Sequence, residues 1–412
     1  MGEVDQWENI HEDMLNQIAE RLYSYDDYLQ LRLVCKQWNS KVPKIPNGIK
    51  APWLLVPIGG AAKEAFKIGK DIYHITQLPS IDEETVDTSS LEEKGIYHLK
   101  LELQYNLIRG SCHGWLIIVS IYEGTIRMLN PLTKVCLDLP PISTLPNVID
   151  DGDEYYSYYI GPYKFITDTV HAYKVLVWKV VINSAPTNDN NNNFMAVALY
   201  GGSYLAFYKP SNRKWLKLTT NTDAWTYFQD VIFFQEKIYI IDDDGQLYVF
   251  DTNTKAKPVR IIHEVTPPSD VVTVEDEEVS NLKYLIGCAD GSLLMVVRHL
   301  HNLMQQDNQR SYETIKFDIY ELKKNANTWS RVTSLGNYVL IIGFNASVQM
   351  LADDFSNCKG NQIFFTDNFV IDQTSDDVVY YHNIGIFNLE DQSCQTVLSD
   401  VNFFCPPVWM FP

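Results

Sequence analysis

The segment Gly110-Ser111-Cys112-His113-Gly114 is the closest match in this sequence to a nucleophile site. In the pattern Gly-x-Cys-x-Gly, a cysteine thiolate beside a base could attack a carbonyl carbon. That chemistry needs a strand, a sharp turn and then a helix. The apolar run from Trp115 to Ile118 predicts that a strand continues here instead. The sequence therefore favours glycines that allow a tight turn into a β-strand.

Two further groups of residues suggest metal ligands. His299 and His301 would share one face of a strand, but no Cys, Asp or Glu follows at ligand spacing and the neighbouring polar residues predict a loop. The run Asp242-Asp243-Asp244-Gly245 resembles the start of a calcium loop. An EF-hand loop beginning at Asp242 would place Leu247 where the turn glycine belongs, so the run predicts a hairpin turn. The sequence thus predicts no catalytic residue, no metal and no cofactor.

The composition excludes some partners. The chain has 412 residues, a formal net charge of -19 and a pI of about 4.8. Binding to nucleic acid needs a basic footprint that displaces counterions, and anionic membranes also attract basic surfaces. Neither partner is predicted. The seven cysteines are widely spaced and none forms a Cys-x-x-Cys pair, which indicates reduced thiols in the nucleus or cytoplasm. The acidic first residues are unlike a signal peptide.

Residues 10–42 carry a helical pattern that the rest of the chain lacks. Apolar residues recur at the spacing of one helix face in two sets: first Ile10, Met14, Leu15, Ile18 and Leu22, then Leu29, Leu31, Leu33, Val34 and Trp38. Pro43 and Pro46 end the helical region. Helices this short need a partner, because nucleation is costly and each helix buries little surface. The pattern leaves two partners open, the chain's own larger domain and a second protein.

The order of residues in this segment resembles an F-box. The matching residues are Trp7 to Leu15 and the pattern Leu-x-x-x-Leu-Val-Cys-x-x-Trp from Leu29 to Trp38. The resemblance implies three helices that dock on a Skp1-type adaptor, which binds a cullin. It implies that the following residues pack within the module or on the adaptor: Ile10, Met14, Leu15, Ile18, Leu22, Leu29, Val34 and Trp38. F-boxes usually carry Leu-Pro where this chain has Ile10-His11, a departure that leaves open a protein that has lost adaptor binding.

After Ala51 the pattern changes to short β-branched and aromatic runs separated by turn residues. A strand–turn–strand unit recurs over residues 128–139, 207–218, 249–261, 319–332 and 386–398. Tight hairpins precede several of these units and turn at Gly124, Gly245 and Gly291, where glycine supplies the positive φ that such turns need. Repeats of this kind are typical of a β-propeller, whose blades bury their faces against one another in a closed ring.

The sequence predicts a mainly β protein with a six-bladed, or seven-bladed, propeller behind a small three-helix module. The helical module is predicted to span residues 1–46 and the propeller residues 47–412. Residues 52–79 are expected to form a degenerate further blade. The apolar C-terminal run from Pro406 to Pro412 is expected to dock and close the ring.

Several phrases of the propeller region resemble the plant F-box proteins that end in a KIB-type, kelch-like β-propeller. They are Pro52-Trp53-Leu54-Leu55, Gly110 to Leu116, Leu129 to Thr133, Leu139-Pro140-Pro141, Leu205 to Tyr208 and Gly360 to Asp367. The resemblance implies a non-catalytic substrate receptor of an SCF-type ubiquitin ligase in the nucleus or cytoplasm. Its target protein is unknown. The alternatives are a scaffold without adaptor binding and, less favoured, a propeller enzyme or glycan binder with titratable groups converging in the central channel.

Overall fold

The structure, a computed structural model, describes part of the chain. The described residues are 10–19, 21–22, 25–43, 53–58, 72–76, 97–101, 103, 106–150, 155–160, 163–168, 176–186, 194–220, 226–253, 258–262, 265, 267–268, 279–304, 310–323, 328–354, 358–366, 384–398 and 408–411.

Three short helices form in the N-terminal segment, where the sequence predicted them. They are α1 (Glu12–Ala19), α2 (Tyr25–Leu33) and α3 (Lys36–Lys41). Cys35 caps α3, because its Sγ accepts a hydrogen bond from the Trp38 N–H at 3.4 Å. Two long-range hydrogen bonds tie the segment together: the Tyr28 hydroxyl donates to the Pro43 carbonyl, and Lys41 Nζ donates to the Ile10 carbonyl, both at 2.8 Å. We call residues 10–43 the helical module.

The rest of the described chain is almost entirely β-strand. The strands in chain order are β1 (Trp53–Ile58), β2 (Ile72–Thr76), β3 (Tyr97–Lys100), β4 (Asn106–Cys112), β5 (Trp115–Ser120), β6 (Ile126–Leu129), β7 (Cys136–Leu139), β8 (Val148–Asp150), β9 (Tyr155–Ile160), β10 (Tyr163–Asp168), β11 (Val177–Ile182), β12 (Ala196–Tyr200), β13 (Tyr204–Tyr208), β14 (Leu216–Lys217), β15 (Phe228–Phe234), β16 (Lys237–Asp242), β17 (Leu247–Asp251), β18 (Val259–Ile262), β19 (Val279–Gly287), β20 (Leu293–Met304), β21 (Arg310–Lys323), β22 (Thr328–Val332), β23 (Tyr338–Ile342), β24 (Ser347–Leu351), β25 (Gln362–Phe365), β26 (Ile384–Asn388), β27 (Cys394–Leu398) and β28 (Val408–Met410).

These strands form a β-propeller. Five sheets have four strands, in the orders β28-β1-β2-β3, β4-β5-β6-β7, β11-β12-β13-β14, β15-β16-β17-β18 and β19-β20-β21-β22. Their first strands contact one another in turn: β28 touches β4, β4 touches β11, β11 touches β15, and β15 touches β19. The sheet β24-β23-β25-β26-β27 follows, with β24 against β19. Leu54 and Trp409 pack on this last sheet and complete the ring.

The blade count corrects the sequence prediction. The structure has five regular four-stranded blades rather than six or seven. The sheet of β23–β27 departs from the repeat because β23 and β25 pair in parallel, while β24 folds back beside β23 as a fifth strand. A separate three-stranded sheet, β10-β9-β8, interrupts the chain between β7 and β11.

The ring is closed by the two ends of the propeller. Strand β28 pairs with β1 through Trp53↔Met410, Leu54↔Trp409 and Leu55↔Val408. This confirms that the C-terminal segment docks. It also places β1 and β2, in the segment predicted as a degenerate blade, in a complete four-stranded sheet. Trp409 is buried, and its Nε1 donates to the Ile342 carbonyl at 2.9 Å.

The helical module packs directly on the propeller. Leu15, Tyr28 and Trp38 share one apolar cluster with residues of the ring such as Ile118 and Met410. Helix α2 also contacts the outermost strand β3. The predicted boundary between residues 46 and 47 lies outside the described residues, between the end of α3 and the start of β1. The two parts therefore share a core, although their secondary structures differ.

Candidate functional site

The apolar residues of the helical module divide between two faces. Leu15 is fully buried and Trp38 nearly so, both in the cluster shared with the propeller. On the other face, Met14 and Val34 are each 58% exposed and Ile18 is 39% exposed. Helical geometry places the apolar residues of α1 on one stripe, with Met14 and Ile18 at its exposed edge and Leu15 and Ala19 at the edge that the propeller covers.

The eight predicted adaptor-binding residues therefore do not lie together on one exposed surface. Three are exposed, namely Met14, Ile18 and Val34. Three are partly buried against the shared cluster, namely Ile10, Leu22 and Leu29, and two are buried in it, Leu15 and Trp38. The buried and partly buried residues position the module, and the exposed ones remain available to a partner. The chain's own propeller is thus the partner of the buried and partly buried residues, and a second protein as partner of the exposed ones stays a prediction.

Leu33 is an exposed apolar residue that the predicted set omitted. It ends α2 and is 69% exposed, next to Val34. The Leu-x-x-x-Leu-Val part of the F-box pattern contained it, so its position could have been found from that motif. We call Met14, Ile18, Leu33 and Val34 the exposed helical face.

His11 occupies the position where F-boxes usually have proline. Its carbonyl accepts the hydrogen bonds of the Met14 and Leu15 N–H groups at 3.1 and 3.2 Å, so it begins α1. Its Nδ1 accepts from the Asp13 N–H at 3.4 Å. The side chain therefore acts as a weak N-cap, which satisfies a donor of the first turn. Histidine in this sequence supports the helix start by hydrogen bonding where proline would pre-set the backbone.

Cys112 lacks the environment of a nucleophile. It ends β4, the chain turns at His113 and Gly114 with φ of 53° and 77°, and β5 follows at Trp115. This is the strand–turn–strand arrangement that the sequence favoured. Burial raises the pKa of the Cys112 thiol to about 11. Its Sγ accepts a hydrogen bond from the Ile182 N–H, so the thiol joins two neighbouring blades.

The histidine pair lies in a strand that continues through Asn302, one of the polar neighbours that predicted a loop; the other neighbours, at 305–309, lie outside the described residues. His299 and His301 are both in β20, because the long β20–β21 hairpin extends past the blade edge. His299 Nε2 lies 2.7 Å from Asp318 Oδ2. Burial alone would raise the pKa of Asp318, but hydrogen bonds from His299 and Lys316 hold it below its ordinary value. Within the described ranges, no three His, Cys, Asp or Glu side chains converge as metal ligands.

The Asp242–Gly245 run is a hairpin turn between β16 and β17, as predicted. Asp242 Oδ1 accepts from the N–H groups of Asp244 and Gln246, and its Oδ2 accepts from the Tyr248 hydroxyl at 2.7 Å. Its carboxylate is therefore committed to the turn. Burial raises the pKa of Asp242 to about 6 despite these hydrogen bonds.

The innermost strands carry a buried ion pair rather than an exposed set of titratable groups. Lys179 Nζ of β11 lies 2.5 Å from Asp230 Oδ1 of β15, and the side chains are 3% and 2% exposed. Asp230 also accepts from the Val231 N–H at 2.7 Å and from the Leu285 N–H at 2.8 Å. The carboxylate thus links three successive blades. Its hydrogen-bonding capacity is used within the protein, which is typical of a structural pair.

A membrane-spanning helix is not found: none of the helices in the described ranges combines the length and apolar character that a bilayer crossing requires.

Comparison with known proteins places the fold. A family model described as the KIB1-4 beta-propeller matches residues 88–388. The chain is 22% identical to F-box protein SKIP23 of Arabidopsis thaliana over 98% of this chain and 95% of that protein. It is 22% identical to Arabidopsis F-box protein At2g26160 over 89% of this chain and 97% of that protein. Among solved structures, apo AztD of Citrobacter koseri matches with 10% identity and a TM-score of 0.30, over 88% of this chain and 99% of that one.

Proposed function

Because the chain belongs to the KIB1-4 β-propeller family, we propose that it is the substrate-recognition subunit of an SCF-type (Skp1-cullin-F-box) ubiquitin ligase. The helical module binds a Skp1-type adaptor and, through it, a cullin. The propeller binds the target protein. The chain itself catalyses nothing: it acts by holding the target close to the ubiquitin carrier, which raises the effective concentration of a target lysine. We propose that it works in the nucleus or cytoplasm.

The exposed helical face is the observation that carries this proposal. Met14, Ile18, Leu33 and Val34 lie on a module whose opposite side is already stabilised by the propeller. Folding alone gives no reason for these apolar side chains to face solvent. We interpret these exposed apolar side chains as part of a protein interface. The relatives that match nearly the whole chain are named F-box proteins, which supports an adaptor as the occupant.

The size of the patch indicates how much it contributes. Burying the exposed part of each of these four side chains yields on the order of 1 kcal/mol. The sum, about 4 kcal/mol, does not exceed the roughly 4–15 kcal/mol that association costs in lost translational and rotational freedom. The exposed helical face is therefore the apolar centre of the interface, and polar residues around it must supply further affinity and specificity.

The proposal is tested by co-purification with a Skp1-type adaptor. Met14→Glu combined with Val34→Glu places two charges on the exposed helical face without entering the shared cluster. The double variant is expected to lose the adaptor. Leu29→Glu is a poor test, because Leu29 packs against the shared cluster and its change would damage the module itself.

A matched control is available on the propeller. Ile166 is as exposed as the substituted residues but lies in β10, outside the helical module. Ile166→Glu is expected to keep the adaptor, and thermal melts of both variants should match the parent. Adaptor binding by the Met14→Glu/Val34→Glu protein would contradict the proposal and favour a scaffold that has lost adaptor binding.

A further inference from the structure

One end of the propeller combines aromatic and acidic side chains. The starts of the innermost strands β11 and β15 lie at this end, together with the β12–β13 and β16–β17 turns. Main-chain hydrogen bonds join these segments: the Phe228 N–H donates to the Gly202 carbonyl at 2.8 Å, and the Asp243 N–H donates to the Tyr227 carbonyl at 2.9 Å. The turns of two neighbouring blades are therefore held in fixed contact.

Trp178 is directed into this region by an irregularity in its strand. Val177 pairs with Tyr200 and Lys179 pairs with Leu199, so Trp178 is an extra residue in the β11–β12 register. Such a bulge redirects a side chain, and bulges are frequent next to binding sites. Trp178 is half-buried, whereas Val177 and Lys179 on either side are buried.

Gly202 allows two aromatic rings to approach the same point. It has a φ of +69°, and a Cβ at this position would lie 3.2 Å from both Trp178 Cη2 and Tyr227 Cδ1. Tyr227 is 40% exposed. The rings of Trp178 and Tyr227 thus flank one backbone position and leave part of their surface open to solvent.

Two acidic residues follow in the β16–β17 turn. Asp243 is half-buried and Asp244 is exposed, and the main chain of Asp243 is hydrogen-bonded to the main chain of Tyr227. The nearest buried cation, Lys283, directs its Nζ to the main-chain carbonyl of Asp243 at 2.5 Å. Burial and then the charge of Asp244 raise the pKa of Asp243, whereas the charge of Lys283 lowers it. We call Trp178, Gly202, Tyr227, Asp243 and Asp244 the aromatic notch.

We propose that the aromatic notch is a docking site for a basic segment of the target protein, with a lysine or arginine side chain lying on Trp178 and Tyr227 beside Asp243 and Asp244. This inference rests on the proposed function, because it identifies where the propeller would hold its target. A cation over an aromatic face is attracted by the ring quadrupole, and neighbouring carboxylates strengthen the attraction. The chain's net charge of -19 favours the approach of a basic partner.

The position of the aromatic notch leaves the helical module free. The notch lies on the β11–β14 and β15–β18 sheets, whereas the module packs on the cluster of β1, β4, β5 and β28. A target and an adaptor can therefore occupy the chain together, as a substrate receptor requires.

The test uses the full chain and two fluorescein-labelled peptides of alternating glycine and lysine. One peptide has free lysine side chains and the other is acetylated on every Nε. Anisotropy should show binding of the free peptide and not of the acetylated one. Tyr227→Ala is expected to weaken binding by about 5- to 30-fold, the range of a lost cation–π contact. Asp244→Asn should weaken it by about 5-fold, since charge-assisted contacts of exposed groups are modest.

Two matched variants separate a local site from general attraction to an acidic protein. Tyr338 is 38% exposed in β23, close to the exposure of Tyr227, and Asp354 is an exposed carboxylate near β24. Tyr338→Ala and Asp354→Asn are expected to change affinity less than 2-fold, because exposed groups away from the notch contribute little. Equal losses in the notch variants and these controls would overturn the proposal.

The outcome also distinguishes this inference from the proposed function. Met14→Glu/Val34→Glu should lose the adaptor and still bind the free peptide, while Tyr227→Ala should keep the adaptor. A chain that binds the adaptor but not the peptide refutes the aromatic notch alone. A chain that binds the peptide with the expected variant pattern but never the adaptor supports the notch and refutes the adaptor role.

Discussion

The buried pair of Lys179 and Asp230 gives a sharp test of how the blades are held together. Lys179→Met keeps the approximate length and volume of the side chain and removes its charge. Asp230 then retains two N–H donors, from Val231 at 2.7 Å and Leu285 at 2.8 Å, but loses the ammonium at 2.5 Å. A nearly inaccessible carboxylate without its counter-ion is strongly unfavourable.

The magnitude follows from this burial. Removing one partner of a buried pair costs about 3–5 kcal/mol, a large share of the roughly 5–15 kcal/mol that stabilises a typical folded protein. Urea unfolding followed by circular dichroism should show a correspondingly lower midpoint at an unchanged slope. Lys179→Met combined with Asp230→Asn should recover part of the loss, because the amide oxygen can still accept a hydrogen bond and no charge remains buried.

Lys323→Met is the control for this measurement. Lys323 Nζ lies 2.6 Å from Glu321 Oε2, nearly as close as the buried pair, but Lys323 is exposed. Its substitution should cost no more than about 1 kcal/mol, as for other surface ion pairs. If Lys179→Met lost as little as Lys323→Met, burial would not determine the strength of these contacts and the reasoning would be refuted.

Three other substitutions test the remaining features. Leu15→Ala should destabilise the protein by about 2–5 kcal/mol because it leaves a cavity in the shared cluster. Met14→Ala should change the melting temperature little and weaken adaptor binding. Equal melting temperatures for the two variants would contradict the division into buried and exposed residues. Trp409→Ala should lower the free energy of unfolding by about 3–5 kcal/mol, measured in urea, because it removes the buried side chain that closes the ring. Ile166→Ala, at an exposed position, is the control. A smaller loss for Trp409→Ala than for Ile166→Ala would contradict this role. The pKa of Asp242 is raised to about 6, so the folded state holds a proton more tightly than the unfolded state and stability falls as pH rises from about 4 to about 6. Asp242→Asn should remove this fall in the urea midpoints measured across that interval. An unchanged pH profile in the variant would contradict the assignment.

The sequence predicted the features that depend on local chemistry. All five strand–turn–strand units are confirmed as antiparallel pairs, for example β6 with β7 and β26 with β27. The turns at Gly245 and Gly291 have φ of 80° and 84°, as tight hairpins need. These signals reside in a few consecutive residues, so periodicity and turn chemistry were enough to find them.

Features that depend on distant partners could not be predicted. The parallel pairing of β23 with β25 needs an intervening strand to fold back, and no residue near Val339 signals it. Asn302 was predicted to lie in a loop because its neighbours are polar, but it pairs with Tyr312 across the β20–β21 hairpin. Pairing across the sheet decides such cases, and local propensity does not.

The candidate site was only partly predictable for the same reason. Helical spacing placed Met14 and Leu15 on one apolar stripe of α1, but spacing cannot say which edge of the stripe lies inward. The propeller makes that choice by covering Leu15. The aromatic notch gave no sequence signal, because Trp178 and Tyr227 meet only through the turn at Gly202.

The closing strand sets an order for the life of each molecule. During synthesis β1 emerges from the ribosome long before β28, so one edge of β1 stays unpaired until β28 has been made. Val408 and Met410 of β28 also belong to the apolar cluster that buries Leu15 and Trp38. A polypeptide that ended before β28 would have an open ring and an incomplete cluster. The helical module is therefore fully supported only in a molecule whose ring β28 has closed.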